Sequence, residues 1–244
     1  MSVWSALAGE ISTATGEPFE VTRQRSVGGG SINAAYRVDG RVAGRDRVYF
    51  VKLGNLAAFE MYAAEAEGLQ AMHHTQTMRV PTPICWGTFD STAYVVMDFI
   101  ELSRGGVGSA EKLGQQLAAM HRHASDRFGW HRNNTIGSTP QRNEPSQNWV
   151  EFYRDRRLDF QLRLARRNGY SGSWMQDAEK LGDRLHVFFT SYQPEASLLH
   201  GDLWSGNYGF DESGQPVIFD PATYYGDREA DIAMTELFGG FPAE

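Results

Sequence analysis

Residues 198–207 read Leu-Leu-His-Gly-Asp-Leu-Trp-Ser-Gly-Asn, and residues 217–223 read Val-Ile-Phe-Asp-Pro-Ala-Thr. Together they set Asp202, Asn207 and Asp220 in one pattern: an acid, an amide five residues on, and a second acid beyond a short hairpin. Those residue types suit phosphoryl transfer. One carboxylate orients an attacking hydroxyl and takes its proton, while oxygen ligands hold the magnesium ions that neutralise phosphate oxygens.

The residues between Asn207 and Asp220 support a hairpin. Tyr208–Phe210 and Val217–Phe219 are apolar runs flanking the turn-rich Asp211–Pro216. The pairing expected from this pattern sets Tyr208 opposite Phe219, Phe210 opposite Val217 and Asn207 opposite Asp220. Cross-strand neighbours sit ~5 Å apart, which suits two groups sharing a metal. An ordinary surface hairpin with solvated carboxylates is the plain alternative. The upstream His200-Gly201-Asp202 lengthens the pattern and favours phosphoryl transfer.

A nucleotide grip is expected near the N-terminus. Val27 to Asn33 holds Gly28, Gly29 and Gly30 between two strand-like segments, Phe19 to Arg25 and Ala34 to Val38. Glycines let backbone amides approach phosphate oxygens, although a flexible hairpin tip has the same composition. No GxxxxGK[ST] is present, so a P-loop is not supported. Arg47 to Leu53 reads as a strand with Lys52 on the face of Val48 and Phe50. Such a lysine either snorkels from an edge or meets a buried partner.

The next helix supplies that partner. Over residues 57–72, Ala58, Met61, Tyr62, Leu69 and Met72 share a stripe, with Glu65 at its centre and Glu60 and Glu67 facing away. A carboxylate on an apolar stripe calls for a cation, and Lys52 is the nearest along the fold. The alternative is that Glu65 marks the boundary where the helix meets solvent.

Bulk properties narrow the class. The chain has 244 residues, a net charge of −7 and a single cysteine, Cys85. Its length allows a substantial core, better divided into two unequal lobes than gathered in one. One cysteine excludes an internal disulfide framework, and Cys85 is expected to be a buried apolar residue. The acidic balance argues against nonspecific nucleic-acid binding. No signal peptide and no membrane-spanning run is read, so a cytoplasmic protein is expected, as a monomer.

With these residues in hand, the chain resembles the fructosamine kinase (ketosamine-3-kinase) family, within the protein-kinase-like and aminoglycoside phosphotransferase-like group. The stretches that carry the resemblance are GGGSINAAY at 28–36, FVK at 50–52, RVPTPICWG at 79–87, VVMDFIEL at 95–102 and LGQQLAAMH at 113–121. HGDLWSGN at 200–207, FDPATYYGDREADIAM at 219–234 and FGGF at 238–241 complete them. Trp204, DPATYYG and FGGF point to this family rather than to the wider group.

The resemblance implies an α+β, two-lobed protein-kinase-like fold. A small, mostly antiparallel β N-lobe would occupy 1–97 and a larger, mainly α C-lobe 98–244. It also implies an ATP- and Mg2+-dependent kinase acting on a ketosamine sugar hydroxyl, free or protein-bound, with deglycation as the outcome. Asp202 would be the catalytic base, and Asn207 and Asp220 the magnesium ligands. Lys52, paired with Glu65, would reach the phosphates, while Gly28, Gly29, Gly30, Ser31 and Asn33 would cover them. The backbone from Met97 to Phe99 would meet adenine, and Asp231 would buttress the catalytic loop. Trp204 would touch the sugar.

Two departures stand out. Many family members carry Cys where this chain has Ser31, so no disulfide switch is expected at that loop. The chain also ends at Phe241-Pro242-Ala243-Glu244, where relatives continue through further helices; it is either short or a piece of something longer. Two other readings stay open here: a kinase for an aminoglycoside, choline or homoserine, and an ATP-binding module without catalysis. Among remaining features, His200 is read as support for the catalytic loop. The arginines at 154, 156, 157, 163, 166 and 167 are read as a solvated helix face. Residues 126–146 are read as loop, and 149–167 and 174–192 as helices.

Overall fold

The computed structural model describes residues 2–28 and 34–241. The N-terminal half is built on a five-stranded antiparallel sheet: β1 (Phe19–Ser26), β2 (Ala34–Val42), β3 (Arg45–Asn55), β4 (Pro83–Phe89) and β5 (Thr92–Asp98). They lie in the order β1-β2-β3-β5-β4. Helix α1 (Val3–Thr15) starts from a Ser2 cap and ends at a left-handed Gly16. It buries Leu7 and Ile11 against Val38, Tyr49, Val51 and Val96. Full burial of such aliphatic side chains contributes about 1.5–3 kcal/mol each.

Period two along β3 divides its side chains. Tyr49 and Val51 are buried towards α1, leaving Val48, Phe50 and Lys52 half-buried on the opposite face. That face looks onto helix α2 (Phe59–Thr75), entered through a 3₁₀ turn at Leu56–Ala58. Tyr62, Ala66, Leu69 and Met72 of α2 pack with Val95 and Met97, and with Leu113, Leu117 and Met120 of α3 (Ser109–His121). The core therefore runs from the sheet into the helical half, and α2 is shared by both.

The helical half surrounds a second, three-stranded sheet, β12-β9-β6 (Tyr224–Gly226, Ala196–Leu199, Ala124–Ser125). Two short hairpins, β7–β8 (Asn134–Ile136, Thr139–Gln141) and β10–β11 (Tyr208–Phe210, Pro216–Ile218), flank it. Helices α4 (Trp149–Tyr153) and α5 (Asp159–Arg167) are joined by a π-helical turn at Arg154–Leu158, and α6 (Ser173–Arg184) and α7 (Glu229–Leu237) complete the described chain. Among the described residues no helix is long and apolar enough to cross a membrane.

Four expectations are corrected. The β10–β11 register is one residue shorter than expected, with Tyr208 opposite Ile218 and Phe210 opposite Pro216. The cause lies in the turn. The Asp211 carboxylate accepts from the Ser213 and Gln215 amides, and Asp211 N donates to Gln215 O, so Gln215 and Pro216 join the arm instead of the loop. Residues 126–146 are not all loop, since they contain the β7–β8 hairpin.

Arg157 does not sit on a solvated face. It donates to Arg142 O and Asn143 Oδ1 at 2.7 Å each and stacks over the Phe152 and Tyr224 rings. Cys85 is half-buried at the edge of the α1 core, not fully enclosed.

Candidate active site

The loop between β9 and β10 carries Asp202 and Asn207. It is held in shape by Asp231 of α7, which is 1% exposed. Asp231 accepts from the backbone amides of His200 (2.9 Å) and Gly201 (2.8 Å), and its Oδ2 lies 2.9 Å from His121 Nε2. Burial alone would raise the Asp231 pKa, but these donors outweigh it and lower it, keeping a full acceptor in the interior. Gly201 adopts φ 82°, and a Cβ there would lie 2.1 Å from the Ala222 carbonyl oxygen. Only glycine fits that crossing.

His200 is locked as a neutral ring. Its Nδ1 accepts from the Asp202 amide at 3.2 Å, so Nε2 carries the hydrogen and donates to Phe219 O at 2.9 Å. Burial lowers its pKa, in agreement. The expected supporting role is what these bonds perform.

Asp202 and Asn207 face one another. Asn207 Nδ2 donates to the Asp202 carbonyl at 2.8 Å and to its Oδ2 at 3.0 Å. That orientation turns the amide oxygen of Asn207 away from Asp202. Burial pushes the Asp202 carboxyl up to about 6; the bond from Asn207 opposes this and the negative charge of Asp220 adds to it. At neutral pH the group is an ionised base of useful strength.

Asp220 follows β11 with φ 57°, a left-handed conformation uncommon outside glycine. The expected pairing of Asn207 with Asp220 is not formed: Phe219 N donates to Asn207 O, so Phe219 lies opposite Asn207. The left-handed step instead takes Asp220 out of the ladder towards the sheet of the other lobe. There Lys52 Nζ lies 2.6 Å from Asp220 Oδ1 and 2.6 Å from Glu65 Oε1. The Lys52 and Glu65 side chains are 14% and 8% exposed, so this is a buried ion pair and not a snorkeling lysine. Burial favours neutral Lys52, but the two carboxylates overcome it and raise its pKa. Burial, helped by Asp220, pushes Glu65 up against the pull of Lys52.

These groups border one cavity of about 730 Å³. Its walls on the sheet side include Val27, Gly28, Ala35, Phe50 and Lys52; its floor includes Asp202, Asn207, Phe219 and Asp220, with Trp204 at the rim. Trp204 is 36% exposed and its ring lies 5.6 Å from that of Phe238. Gly29, Gly30, Ser31 and Asn33 lie outside the described residues. Met97 and Phe99 both line the cavity. Phe99 N donates to Val48 O at 3.4 Å, so the backbone there is turned towards β3, and by alternation so is that of Met97. Asp98, between them, turns the other way: its N donates to Thr82 O at 3.0 Å.

The fructosamine kinase family model matches residues 3–244. The chain belongs to the fructosamine kinase family. Within it, the chain is 47% identical over 249 residues to a probable ketoamine kinase of Synechocystis, covering 98% of this chain and 79% of that protein. It is 42% identical to the chloroplastic protein-ribulosamine 3-kinase of Arabidopsis thaliana, covering 92% and 68%. A crystal structure from Thermobifida fusca, named as a candidate fructosamine-3-kinase, superposes with a TM-score of 0.82 at 31% identity, covering 97% and 80%. A choline kinase of Streptococcus pneumoniae shares the fold alone, at TM-score 0.60 and 15% identity, covering 98% and 75%. The two-lobed, protein-kinase-like architecture expected from the sequence is thus the architecture of this fructosamine kinase family member.

One wall of the cavity lies outside the residues expected from the sequence. Asn134, Thr135 and Gly137 of the β7–β8 hairpin also line the cavity. The hairpin is bolted in place by two side-chain amides, the half-buried Asn134, whose Nδ2 donates to Thr223 O at 2.9 Å, and the buried Gln141, whose Nε2 donates to Ala222 O at 3.0 Å. The signal was available in Thr-Ile-Gly-Ser-Thr, a glycine turn between β-branched residues at 135–139.

Proposed function

We propose that this chain transfers the γ-phosphoryl group of ATP to a sugar hydroxyl of a ketosamine, the 3-hydroxyl of a fructosamine or ribulosamine. The convergence of Lys52, Asp202, Asn207 and Asp220 on one cavity carries this reading, because each phosphate-handling task has a group in reach. The acceptor oxygen forms its bond to the γ-phosphorus as the bond to the bridging oxygen of ADP breaks, and the hydroxyl proton passes to Asp202. No phosphoenzyme is needed. Lys52, steadied by Glu65, holds phosphate charge, and positioning with electrostatics supplies most of the acceleration.

The Asp220 carboxylate and the Asn207 amide oxygen, which its Nδ2 bonds turn away from Asp202, are both oxygen donors, and that chemistry fits magnesium. That ion needs few protein ligands because phosphates and water complete its shell. Bound there, it would neutralise phosphate charge. Gly28 borders the cavity where phosphates would lie, and Gly29, Gly30, Ser31 and Asn33 would extend that cover. The Asp98 carbonyl and the Ile100 amide would read adenine, between the Met97 and Phe99 side chains.

Trp204 would stack on the sugar. The kinase names of the relatives support a ketosamine over an aminoglycoside or choline acceptor. The phosphorylated product is prone to shed its amine, so the reaction would reverse glycation, and we place it in the cytoplasm. The test is ATP consumption with magnesium and a synthetic ribulosamine or fructosamine, beside Asp202→Ala. Turnover lost in the variant supports the assignment; turnover only with choline or an aminoglycoside replaces the acceptor.

A further inference from the structure

Helix α2 carries two more carboxylates, Glu60 and Glu67, which the chemistry above does not use. They are seven residues apart and therefore within about 20° of each other around the helix, while Glu65 lies roughly 140–160° away. Glu65 faces Lys52 inside the sheet lobe. Glu60 and Glu67 face a single arginine from the helical lobe. Arg132 donates through Nη1 to Glu67 Oε1 at 2.7 Å and through Nη2 to the Glu60 carboxylate, and Nη2 also lies 3.4 Å from Glu60 O. His131 Nε2 is 2.8 Å from Glu67 Oε2. The Arg132 and Glu67 side chains are 19% and 29% exposed, so that pair is partly buried, whereas the Glu60 carboxylate joins it from the exposed surface.

The mount behind Arg132 is rigid. Asn143, 0% exposed, donates through Nδ2 to Arg132 O at 3.2 Å and accepts at Oδ1 from Arg157 at 2.7 Å. Arg157 in turn stacks 4.2 Å over Tyr224. Trp130 N donates to Asn143 O at 2.8 Å, and its ring lies 5.3 Å from that of Tyr225. On the far side of the contact, Gly68 of α2 lies against Pro221 and Thr223, just after Asp220; a Cβ there would meet Thr223 Oγ1 at 2.4 Å. A pre-ordered arginine loses little side-chain entropy on pairing, unlike an exposed ion pair.

We propose that Arg132 is a positioning residue for the phosphate-binding cation. Gripping α2 from the helical lobe fixes the rotation of that helix, and the rotation fixes where Glu65 holds Lys52. The setting of α2 is thereby built into the fold and needs no separate event to establish it. This inference rests on the kinase reading for its purpose, but its test reads nucleotide binding directly.

ATP with magnesium is titrated calorimetrically into the wild-type chain, Arg132→Gln, Glu67→Gln and Arg132→Lys, and into the two glutamine variants carrying Lys52→Met as well. Arg132→Gln and Glu67→Gln are expected to weaken ATP binding about five- to tenfold. KM for the ketosamine stays within about twofold, and Arg132→Lys recovers part of the loss. In the Lys52→Met background neither glutamine variant should weaken ATP further, because the effect passes through Lys52.

Unchanged ATP affinity with a lowered Tm would overturn the proposal, as would an undiminished loss in the Lys52→Met background. If Arg132→Gln fails to fold, Glu67→Gln carries the same test. ATP binding by the wild type without ketosamine turnover would sink the acceptor assignment while leaving Arg132 to be judged by these titrations. No ATP binding by the wild type would sink both.

Discussion

Replacing Asp202 with Asn should make the protein more stable as it destroys activity. The folded state lifts the Asp202 carboxyl to about 6 from the ordinary aspartate value of ~4, chiefly by burial. Roughly two pKa units correspond to about 3 kcal/mol of strain on the ionised form, and halving this for the partly exposed position leaves ~1.5 kcal/mol.

The sign follows from linkage. The folded state binds the proton more tightly than the unfolded chain, so the penalty is fully present above pH 6. It fades as pH falls through 6 and is gone below the unfolded value near 4. Asn carries no charge and escapes the penalty. It should raise the melting temperature by about 3–6 °C at pH 7.5. The gain should shrink towards zero when both proteins are melted near pH 4. Calorimetry at the two pH values, with turnover measured on the same samples, checks this. A destabilised Asp202→Asn at pH 7.5, or a gain independent of pH, would refute the argument.

The same group governs the pH profile: kcat/KM should fall on the acid side with a midpoint near 6, where Asp202 takes up its proton. A flat profile between pH 5 and about 8 would remove Asp202 from the proton transfer. Glu65→Gln leaves Lys52 only Asp220 for company, so stability should drop by about 1–3 kcal/mol and KM for ATP should rise about tenfold; denaturant melts and initial rates read the two effects. Gly201→Ala forces a Cβ into the Ala222 carbonyl at a positive φ and should cost about 3 kcal/mol or more, seen as a lost or much earlier thermal transition.

What the sequence disclosed depended on the range of the physics involved. The Lys52–Glu65 pair was legible because two local periodicities, two along β3 and 3.6 along α2, each placed a charge on an apolar face. Their partnership then followed from the need to neutralise both. Asp202, Asn207 and Asp220 were legible from spacing. The β10–β11 register was not, because the turn length depends on the Asp211 carboxylate capping Ser213 and Gln215, a detail that composition does not reveal.

Arg157 was misread because its partners, Asn143 and Tyr224, are distant in sequence, and a helix rich in arginine looks solvated until the π-helical turn rotates one residue inward. The β7–β8 wall escaped for a similar reason: the acceptors that hold it, Ala222 O and Thr223 O, lie more than about eighty residues away. Short-range patterns showed the chemistry, and long-range backbone contacts decided the shape of the acceptor side.

The most direct test is to incubate the chain with ATP, magnesium and a ribulosamine or fructosamine and to look by mass spectrometry for the phosphorylated ketosamine. ADP should form in step with that product, and both should vanish in Asp202→Ala while ATP still binds. ATP bound tightly with no phosphorylated ketosamine formed, or product formed equally by Asp202→Ala, would contradict the account.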